Sequence, residues 1–599
     1  MRHFCIVVCL LSSLSSFSQL FPATDYPRDY FRNPLAVPMS LAANFGELRP
    51  NHYHMGLDIR TQHRENLPVF AAADGYVARV EIEPAGFGQA IYIRHPNGYT
   101  TVYGHLNQFF PALAAYVSEQ QYKRESWQVD LEIPGTLFPV KKGDLIAYSG
   151  NTGGSQGPHL HFEIRRTAGD VNQNPLLFGL PVPDNTSPSF LRLAWYDRNQ
   201  GIYEQSPHIL PVLLSKTKRV GETVAWTILP AVLTVSASRV SFAISAFDTQ
   251  NGSANPNGIY EAALYADDQL LIGFRMNNIS YDNTRNINAH IDYRTRATGG
   301  PFLQHLSLLP GYPAPTIYAS PADRPSNGVI GLGDGQPHTI RIGIKDTYGN
   351  SSSLTFRVQY QPPANAAAVP AGSPAHPTEA AGKRFYPGMV DGVEMEDCAF
   401  YLGENSLYDS VSIASTVAGY PGSGLSLPGA VSAAHTIGAT WIPLLQPVLV
   451  RLRPSVTLRP VAPDSFSTAH IVMVRFHGEK KDVLRPEWQN GWASARFREF
   501  GNFQLVNDTI PPVITPVGQL EGANIGKAVR IAFWVKDNLS ATSNFRAELD
   551  GAWLCFTNDK GLAHIYKFDQ HCPPGSHTLK VSVEDVAGNR TVKEYHFTR

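Results

Sequence analysis

Two short motifs contain four side chains that could bind a catalytic metal ion. His159 and His161 lie one residue apart in the segment GPHLHFE, and residues i and i+2 of a β-strand project from the same face. About a hundred residues earlier, His54 and Asp58 in HMGLD could bring a nitrogen and an oxygen ligand to the same point. Two imidazoles and one carboxylate, with a fourth position left for water, are the ligands expected of a catalytic zinc site.

Two further motifs separate these pairs in the chain: YGHL, which contains His105, and VKKGD at 140–144. Together with HMGLD and SGNTGGSQGPHLHFE, they resemble the lysostaphin and LytM type of zinc metallopeptidase, which cuts peptide bridges in bacterial cell walls. The resemblance covers roughly residues 40–166. Because four separate motifs occur in that family's order, the resemblance is more specific than a single HxH pair.

The resemblance implies a role for each of five residues. His54, Asp58 and His161 would bind Zn²⁺, and His105 and His159 would orient the attacking water and stabilise the tetrahedral oxyanion. Zn²⁺ lowers the pKa of a bound water from 15.7 to about 7 and polarises a carbonyl. The chain has no HExxH motif and so lacks the glutamate base of that class, but an imidazole titrates near neutrality and can transfer the proton instead.

Other residues near these motifs are weaker candidates. His52 competes with His54 by strand spacing, but the HxGxD frame fits His54, so we predict that His52 lies at the rim of the site. Glu163 and Tyr103 could support the ligands or contact substrate, although a structural role is favoured. Ordinary core or surface positions are expected for the remaining histidines that the motifs leave out: His63, His95, His208, His290 and His477.

The composition indicates a β-rich protein and excludes some partners. The 599 residues carry 49 basic and 50 acidic side chains, so no long-range field favours nucleic acid or an anionic membrane. The 49 Gly, 46 Pro, 26 Tyr and 30 Phe suit strands joined by turns, with little helix. A chain of this length usually holds about four domains.

The first 19 residues predict an export signal. Arg2 and His3 precede an apolar run from Phe4 to Leu11, and small residues follow through Ser18. The run is shorter than the roughly 20 apolar residues that span a bilayer, and no later stretch has the composition of a transmembrane segment. We therefore expect an exported protein, either periplasmic or at the cell surface and secreted; a buried first strand is the alternative.

An insertion at 107–138 separates the YGHL and VKKGD motifs, which lie closer together in the family that this sequence resembles. Phe109, Leu113, Tyr116 and Val117 have the spacing of a short amphipathic helix. The segment 127–133 then alternates apolar and polar residues, which predicts a half-buried strand. Because the insertion begins beside His105, it is expected to wall or cover the cleft; packing elsewhere is the competing interpretation.

An internal repeat occupies the later part of the chain. VSFAISAFD at 240–248 matches VRIAFWVKD at 529–537, and HTIRIGIKDTYGN at 338–350 matches HTLKVSVEDVAGN at 577–589. The repeat resembles the immunoglobulin-like or fibronectin-like sandwiches of exported bacterial proteins. Its Asp-x-x-Gly-Asn tails predict turns, which are favoured over a calcium site.

These observations predict a mainly β fold, in which an N-terminal antiparallel metallopeptidase domain is followed by several β-sandwich domains. The Pro/Ala-rich segment QPPANAAAVPAGSPAHPTEAAGKR has no core-forming pattern and predicts a linker. The predicted segments are a signal peptide at 1–19, a metallopeptidase domain at 20–180, an immunoglobulin-like sandwich at 181–360, a linker at 361–384, a β-rich domain of unknown family at 385–507 and a second immunoglobulin-like sandwich at 508–599.

The cysteines leave two possibilities open. Cys5 and Cys9 belong to the predicted signal, and Cys398, Cys555 and Cys572 remain in an oxidising compartment. Cys555 and Cys572 are close enough in sequence to form a bridge within one small domain. Buried free thiols are an equal alternative.

The function favoured by the resemblance is an exported zinc endopeptidase that acts on peptidoglycan crosslinks. A D,D-carboxypeptidase that trims stem peptides is the narrower alternative. A non-catalytic activator of another wall hydrolase, or an adhesion protein with a vestigial first domain, would be expected to lose metal motifs, and these are intact. The sandwich domains could also bind a cell-envelope protein.

Overall fold

The computed structural model confirms a mainly β protein, with 48 strands and three α-helices among the residues it describes. The predicted signal and most of the predicted linker lie outside those residues. Within the described ranges, none of the helices has the length and apolarity needed to cross a bilayer. The described residues are 20–22, 24–220, 222–313, 317–362, 382–422, 424–455, 467–539, 542–561 and 563–599.

The N-terminal part, through residue 182, folds around two antiparallel sheets with one shared core. The larger sheet has the order β1-β4-β13-β8-β7-β6-β10, and the smaller one has the order β5-β12-β9. The elements of this N-terminal part are β1 Leu41–Ala43, β2 Leu48–Arg49, β3 His52–Tyr53, β4 Leu57–Arg60, β5 Pro68–Phe70, β6 Gly75–Ile82, β7 Gln89–Arg94, β8 Tyr99–Gly104, β9 Leu106–Phe109, α1 Pro111–Arg124, β10 Val129–Glu132, β11 Pro139–Val140, β12 Leu145–Ser149, β13 His159–Arg166 and β14 Val171–Gln173.

Strand β13 shows how the sequence pattern positions the site. Leu160, Phe162 and Ile164 are fully buried in the core. Since side chains alternate along a strand, His159, His161 and Glu163 project from the other face. The apolar set fixes the register, because a shift of one residue would bury the polar set instead.

The insertion at 107–138 forms the predicted helix and strand. Helix α1 begins with Pro111, whose fixed φ suits a first turn, and buries Leu113 and Val117. It ends at Glu125, which adopts a left-handed conformation. Strand β10 then pairs with β6 at the sheet edge opposite β1.

The second part of the chain, residues 189–360, contains two sheets that enclose one core. They have the orders β16-β15-β20-β24 and β17-β18-β28-β27-β21-β22-β25. Its elements are β15 Ser189–Asp197, β16 His208–Pro211, β17 Leu213–Val220, β18 Thr223–Thr227, β19 Val232–Val235, β20 Arg239–Phe247, β21 Glu261–Ala266, β22 Gln269–Arg275, β23 Asn278–Ile279, α2 Ile287–His290, α3 Tyr293–Ala297, β24 Gln304–His305, β25 Tyr318–Ala319, β26 Ile330–Gly331, β27 His338–Lys345 and β28 Ser351–Tyr360.

The third part, residues 383–507, contains two five-stranded sheets, and its core also includes Tyr196 and Ala243 of the second part. Its strands are β29 Lys383–Phe385, β30 Asp391–Glu394, β31 Cys398–Leu402, β32 Val411–Ile413, β33 Ser415–Gly419, β34 Ala434–Ile437, β35 Val448–Leu452, β36 Ile471–His477, β37 Lys480–Leu484, β38 Glu487–Gln489, β39 Trp492–Phe497 and β40 Gly501–Asn507.

The last part, residues 513–598, again has two sheets around one core, with the orders β41-β43-β46 and β42-β48-β47-β44-β45. Its strands are β41 Val513–Pro516, β42 Ala523–Asn524, β43 Arg530–Lys536, β44 Thr542–Leu549, β45 Ala552–Trp553, β46 His564–Lys567, β47 Ser576–Asp585 and β48 Arg590–Thr598.

The second and last parts have the same strand order, in agreement with the internal repeat. The order β22-β21-β27-β28 in one corresponds to β45-β44-β47-β48 in the other, and β15-β20 corresponds to β41-β43. An aromatic pair bridges corresponding strands of the two sheets in each copy, although not at equivalent positions: Phe242 and Phe356 have ring centroids 5.3 Å apart, and Phe533 and Tyr595 have centroids 5.5 Å apart. The immunoglobulin-like assignment of these parts stays a prediction.

The three cysteines in the described residues are free thiols. Cys398 and Cys572 are buried, and Cys555 is half-buried. The structure therefore agrees with the free-thiol interpretation and does not contain a Cys555–Cys572 bridge. Burial raises the pKa of the Cys398 and Cys555 thiols to about 12, so neither is an activated nucleophile.

Candidate metal centre

Adjacent strands bring Asp58 and His161 together. Strands β4 and β13 pair antiparallel, and Asp58 is the direct cross-strand partner of His161. His161 Nδ1 lies 3.0 Å from Asp58 Oδ1. Both residues come from the motifs that the sequence singled out.

His54 completes the group from the turn before β4. Its Nε2 atom lies 3.0 Å from Asp58 Oδ1 and 3.1 Å from His161 Nδ1. Ligand atoms 2.0–2.1 Å from a tetrahedral ion lie about 3.3 Å from one another. The three side chains thus fit one divalent ion, and they form a candidate metal-binding group.

In His54 and His161, the ring nitrogen that points away from the three-residue group donates a hydrogen bond. His54 Nδ1 donates to the Asn44 carbonyl oxygen at 2.7 Å, and His161 Nε2 donates to Glu163 Oε1 at 3.0 Å. Such partners orient a ligand ring and select its tautomer. They leave His54 Nε2 and His161 Nδ1 facing Asp58 Oδ1, where the three atoms could hold one ion.

Glu163 is the centre of a charged network behind His161. Arg165 Nε donates to its Oε2 at 2.7 Å, and the Tyr281 hydroxyl donates to its Oε1 at 2.7 Å. Burial alone would raise the pKa of this carboxyl, but Arg165 and then His161 lower it to about 2. Glu163 is therefore an ionised acceptor and holds the Nε2 proton of His161.

Gly56 allows the strands to approach at the site. A Cβ atom there would lie 2.5 Å from the Phe162 carbonyl oxygen and 2.9 Å from His161 Nε2. Any side chain would push β13 and its ligand away. This contact gives the physical reason for glycine between His54 and Asp58.

His105 and His159 face each other beside the three ligands, with ring centroids 4.7 Å apart. His105 Nδ1 donates to the Thr152 carbonyl oxygen at 2.8 Å, and His159 Nδ1 donates to the Gly157 carbonyl oxygen at 2.8 Å. Each ring therefore presents Nε2 to the centre, and His159 Nε2 lies 3.3 Å from Asp58 Oδ1.

His105 has an uncommon backbone conformation and a buried ring. It has a positive φ of 59°, a conformation that non-glycine residues adopt mainly where the surrounding structure enforces it. Burial, followed by the neighbouring His159 and His161, lowers the pKa of His105 to about 3. Its imidazole is therefore neutral, and Nε2 carries no proton.

A glycine contact anchors the loop that precedes β13. A Cβ atom on Gly153 would lie 2.2 Å from the Gly88 backbone nitrogen, and Gly154 N–H donates to the Gly86 carbonyl oxygen at 2.9 Å. The paired glycines let two backbones touch. The loop is thereby held where Thr152 and Gly157 can accept from the two histidines.

The five residues open onto a cleft of about 870 Å³, which His52 and His63 also line. His52 thus lies at the rim, as predicted, and His63 is an exposed rim residue. Residues 107–138 do not line this cleft, so the expected wall or cover is not formed by the insertion. Instead, Tyr122 of α1 stacks on His571 of the last part, with ring centroids 3.8 Å apart.

The other candidates have structural roles. The Tyr103 hydroxyl accepts from the Ala72 backbone N–H at 2.8 Å inside the core. His95 and His290 are buried and hydrogen-bonded away from the cleft, and His208 and His477 are exposed elsewhere. None of these four lines the cleft.

Sequence reasoning missed three contributors to the site: Asn44, Arg165 and Tyr281. Arg165 could have been found, because His161, Glu163 and Arg165 continue one face of β13 with a period of two. Tyr281 had no such signal, because it enters from the second part of the chain, 118 residues after Glu163. Its ring is 41% exposed and lines the cleft, while its hydroxyl reaches the buried carboxylate.

Comparisons with known proteins place this site in a family. Residues 52–122 and 138–175 match the model of Peptidase family M23, and the gap between them falls within the predicted insertion. A protein named uncharacterized metalloprotease from Haemophilus influenzae is 37% identical over 136 residues, which are 23% of this chain and 22% of that protein. The DD-carboxypeptidase/endopeptidase Mpg of Neisseria meningitidis is 33% identical over 133 residues, which are 22% of this chain and 24% of that protein.

The catalytic domain of lysostaphin from Staphylococcus simulans was also found, at 23% identity and a TM-score of 0.17, over 22% of this chain and 87% of that structure. The aligned segment spans less than a quarter of the two curated relatives. The two matched ranges, 52–122 and 138–175, include all five residues of the centre.

Proposed function

We propose that this chain is an exported zinc metalloendopeptidase that hydrolyses peptide crosslinks of bacterial peptidoglycan. The observation that carries the proposal is the meeting of His54, Asp58 and His161 in an open cleft, with His105 and His159 beside them. Relatives named DD-carboxypeptidase/endopeptidase and peptidoglycan DD-endopeptidase support the substrate class. The predicted signal supports export to the periplasm or cell surface.

The donor set suits zinc. Two imidazole nitrogens and one carboxylate, with the remaining position facing the cleft, are the ligands of catalytic zinc sites. When bound, Zn²⁺ supplies Lewis acidity and an activated water. Glu163 keeps the Nε2 proton of His161 in place, so that Nδ1 stays directed at the ion.

The two remaining histidines handle the proton and the oxyanion. The Nδ1 proton of His105 is held by the Thr152 carbonyl oxygen, so its Nε2 lone pair faces the centre and can orient the attacking water. His159 holds its Nε2 at 3.3 Å from Asp58 Oδ1, and from there this nitrogen can contact the carbonyl oxygen of the substrate. Intact positions for all five side chains argue against a non-catalytic activator.

The test is digestion of purified peptidoglycan by the mature chain, with mass analysis of the fragments. Wild type is compared with His161→Ala, with a chelator-treated sample and with a control, His477→Ala, whose exposed histidine lies away from the cleft. We expect fragments from wild type and His477→Ala only. Fragments that persist after both metal-removing treatments would exclude a metal-dependent peptidase.

The same spectra decide between the two peptidase activities. An endopeptidase converts crosslinked dimers into monomers, whereas a D,D-carboxypeptidase removes one terminal D-alanine and leaves dimers intact. The relative named DD-carboxypeptidase/endopeptidase makes the second activity a specific alternative. We further propose that the later parts of the chain hold the catalytic domain at the wall or against an envelope protein.

A further inference from the structure

Three carboxylates meet where the first repeat copy begins. Asp184 precedes β15, Asp248 follows β20 and Asp346 follows β27. One carboxylate oxygen from each lies within 4.8 Å of those of the other two. The oxygens of Asp184, Asp248 and Asp346 together form what we call the first aspartate trio.

The second repeat copy contains the same arrangement. Asp508 follows β40 and precedes β41, Asp537 follows β43, and Asp585 ends β47. Their oxygens also lie within 4.8 Å of one another. This second aspartate trio occupies corresponding places, since β43 and β47 correspond to β20 and β27.

Turn formation explains only part of each trio. Asp346 accepts from the backbone N–H groups of Tyr348 and Asn350, and Asp585 accepts from the backbone N–H of Asn589. These bonds confirm the turns predicted from the Asp-x-x-Gly-Asn tails. They give no reason for two further carboxylates beside each turn, at a spacing where like charges repel.

Buried oxygens without donors point to a missing ligand. Asp248 is 6% exposed, and its Oδ1 atom accepts no hydrogen bond from any described residue. Asp508 is 3% exposed, and the same holds for its Oδ2 atom. A buried carboxylate oxygen without a partner is costly, and a cation at the centre of each trio would remove that cost.

The first trio also lines a cavity of about 20 Å³, which is large enough for one small ion. Asn257 lines the same cavity, and its side-chain oxygen likewise lacks a donor among the described residues. The cavity therefore offers a fourth oxygen ligand.

We propose that each aspartate trio binds one Ca²⁺ ion. The side-chain ligands are all oxygen, which favours Ca²⁺, Mg²⁺ or Mn²⁺ over zinc. Ca²⁺ accepts six to eight oxygens in flexible geometry, whereas Mg²⁺ demands a near-ideal octahedron and keeps several waters. Three carboxylates from separate loops suit the more tolerant ion.

Both sites lie at junctions between parts of the chain. Asp184 comes just after the N-terminal domain, and Asp508 comes just after β40. Asn44, whose carbonyl oxygen orients His54, lines the first cavity as well. Bound Ca²⁺ would therefore fix each repeat copy to the part that precedes it.

Calcium binding by the full mature chain tests the proposal. The chain is stripped with EGTA and dialysed against Ca²⁺, and bound calcium is measured together with zinc by elemental analysis. We expect two calcium ions per chain for wild type, one for Asp248→Asn, one for Asp537→Asn and none for the double variant. The control Asp268→Asn, in an exposed hairpin turn, should retain two.

A wild-type chain that binds fewer than two ions, or single variants that keep both, would overturn the assignment. Circular dichroism establishes that each variant is folded. A second measurement does not depend on variants: Ca²⁺ should raise the Tm of the stripped wild-type chain more than Mg²⁺ at equal concentration. No difference between the two ions would also overturn the proposal.

Discussion

The two repeat copies share a strand order but contact the metal centre in different ways. The first copy contributes Tyr281 from the segment between β22 and β27, which is longer than its counterpart between β45 and β47 in the second copy, and the Tyr281 hydroxyl donates to the Glu163 carboxylate behind His161. The second copy contacts the loop before β13 from outside: Asp559 Oδ1 accepts from Gly153 N–H at 2.7 Å, and Lys560 Nζ donates to Asn151 Oδ1 at 3.2 Å and to the Ser155 carbonyl oxygen.

The difference predicts unequal effects on the site. A hydrogen bond to a buried charge contributes about 1.5–3 kcal/mol, and partners behind a ligand tune metal affinity about 10–100-fold. Asp559 and Lys560 instead bind neutral groups of the loop and do not touch a group that contacts His54, Asp58 or His161. We therefore expect the first copy to control the metal and the second copy to influence only the loop.

The largest effect is expected for Glu163→Gln, which removes the charge that His161, Arg165 and Tyr281 share. The amide leaves Arg165 with only the exposed Asp170 as its counter-charge, at 2.9 Å. We expect zinc affinity to fall by about 100-fold and the free energy of unfolding by about 3 kcal/mol. Competition with a zinc-binding dye and chemical denaturation measure the two losses. Unchanged zinc affinity would show that Glu163 does not orient His161.

Tyr281→Phe isolates the contribution of the first copy. It removes the hydroxyl that donates to Glu163 and keeps the ring that lines the cleft. We expect zinc affinity to fall by about 10-fold, as measured by the same dye competition. Tyr386→Phe, at an exposed tyrosine distant in sequence, is the matched control and should bind zinc as wild type does. Equal affinities for both variants would mean that the first copy only walls the cleft.

The residues of the centre were predictable from the sequence, because they lie in short motifs that resemble one family. Strand alternation placed His159 and His161 on one face, and the HxGxD frame chose His54 over His52. These residues need only the β4–β13 pairing to meet. All five residues of the proposed chemistry lie in short motifs, in which the local strand or turn conformation positions the side chains.

The residues that contact the centre from other parts of the chain were not predictable, because their positions depend on how distant parts of the chain pack. Tyr281 reaches the site only through the docking of the second part onto the first. The insertion was expected at the cleft from its position beside His105, yet α1 stacks Tyr122 on His571 instead. The repeat segments contain Asp248 and Asp346 in one copy and Asp537 and Asp585 in the other. Their meeting with each other, and with Asp184 or Asp508, depends on the fold.

Lys560→Ala tests the contact from the second copy. Its loss frees the loop that carries Thr152 and Gly157, whose carbonyl oxygens orient His105 and His159. We expect kcat/KM on a crosslinked muropeptide to fall about threefold, since a single hydrogen bond contributes about 0.5–1.5 kcal/mol net, and zinc affinity to stay unchanged. Lys527→Ala, at an exposed lysine of the same part, is the control. A loss of zinc binding in Lys560→Ala would contradict the division of roles between the copies.

Arg546→Ala should have the smallest effect. Arg546 pairs with Glu125 at the end of α1 at 2.6 Å, and both side chains are more than a third exposed. We expect the free energy of unfolding to fall by less than about 1 kcal/mol, and the difference to vanish in 1 M salt, where the Debye length is about 3 Å. Denaturation at low and high salt measures both.

A double-mutant cycle with Glu125→Gln separates this pair from the second partner of Arg546, which is Glu548 at 2.7 Å. If the ion pair fixes the last part against α1, the coupling energy is positive at low salt and close to zero at high salt. Coupling that survives 1 M salt would instead assign the contact to packing of Tyr122 against His571 and Trp553. In that case the second copy would be held to the catalytic domain by aromatic packing, and it would be a firmer support than its exposed charges suggest.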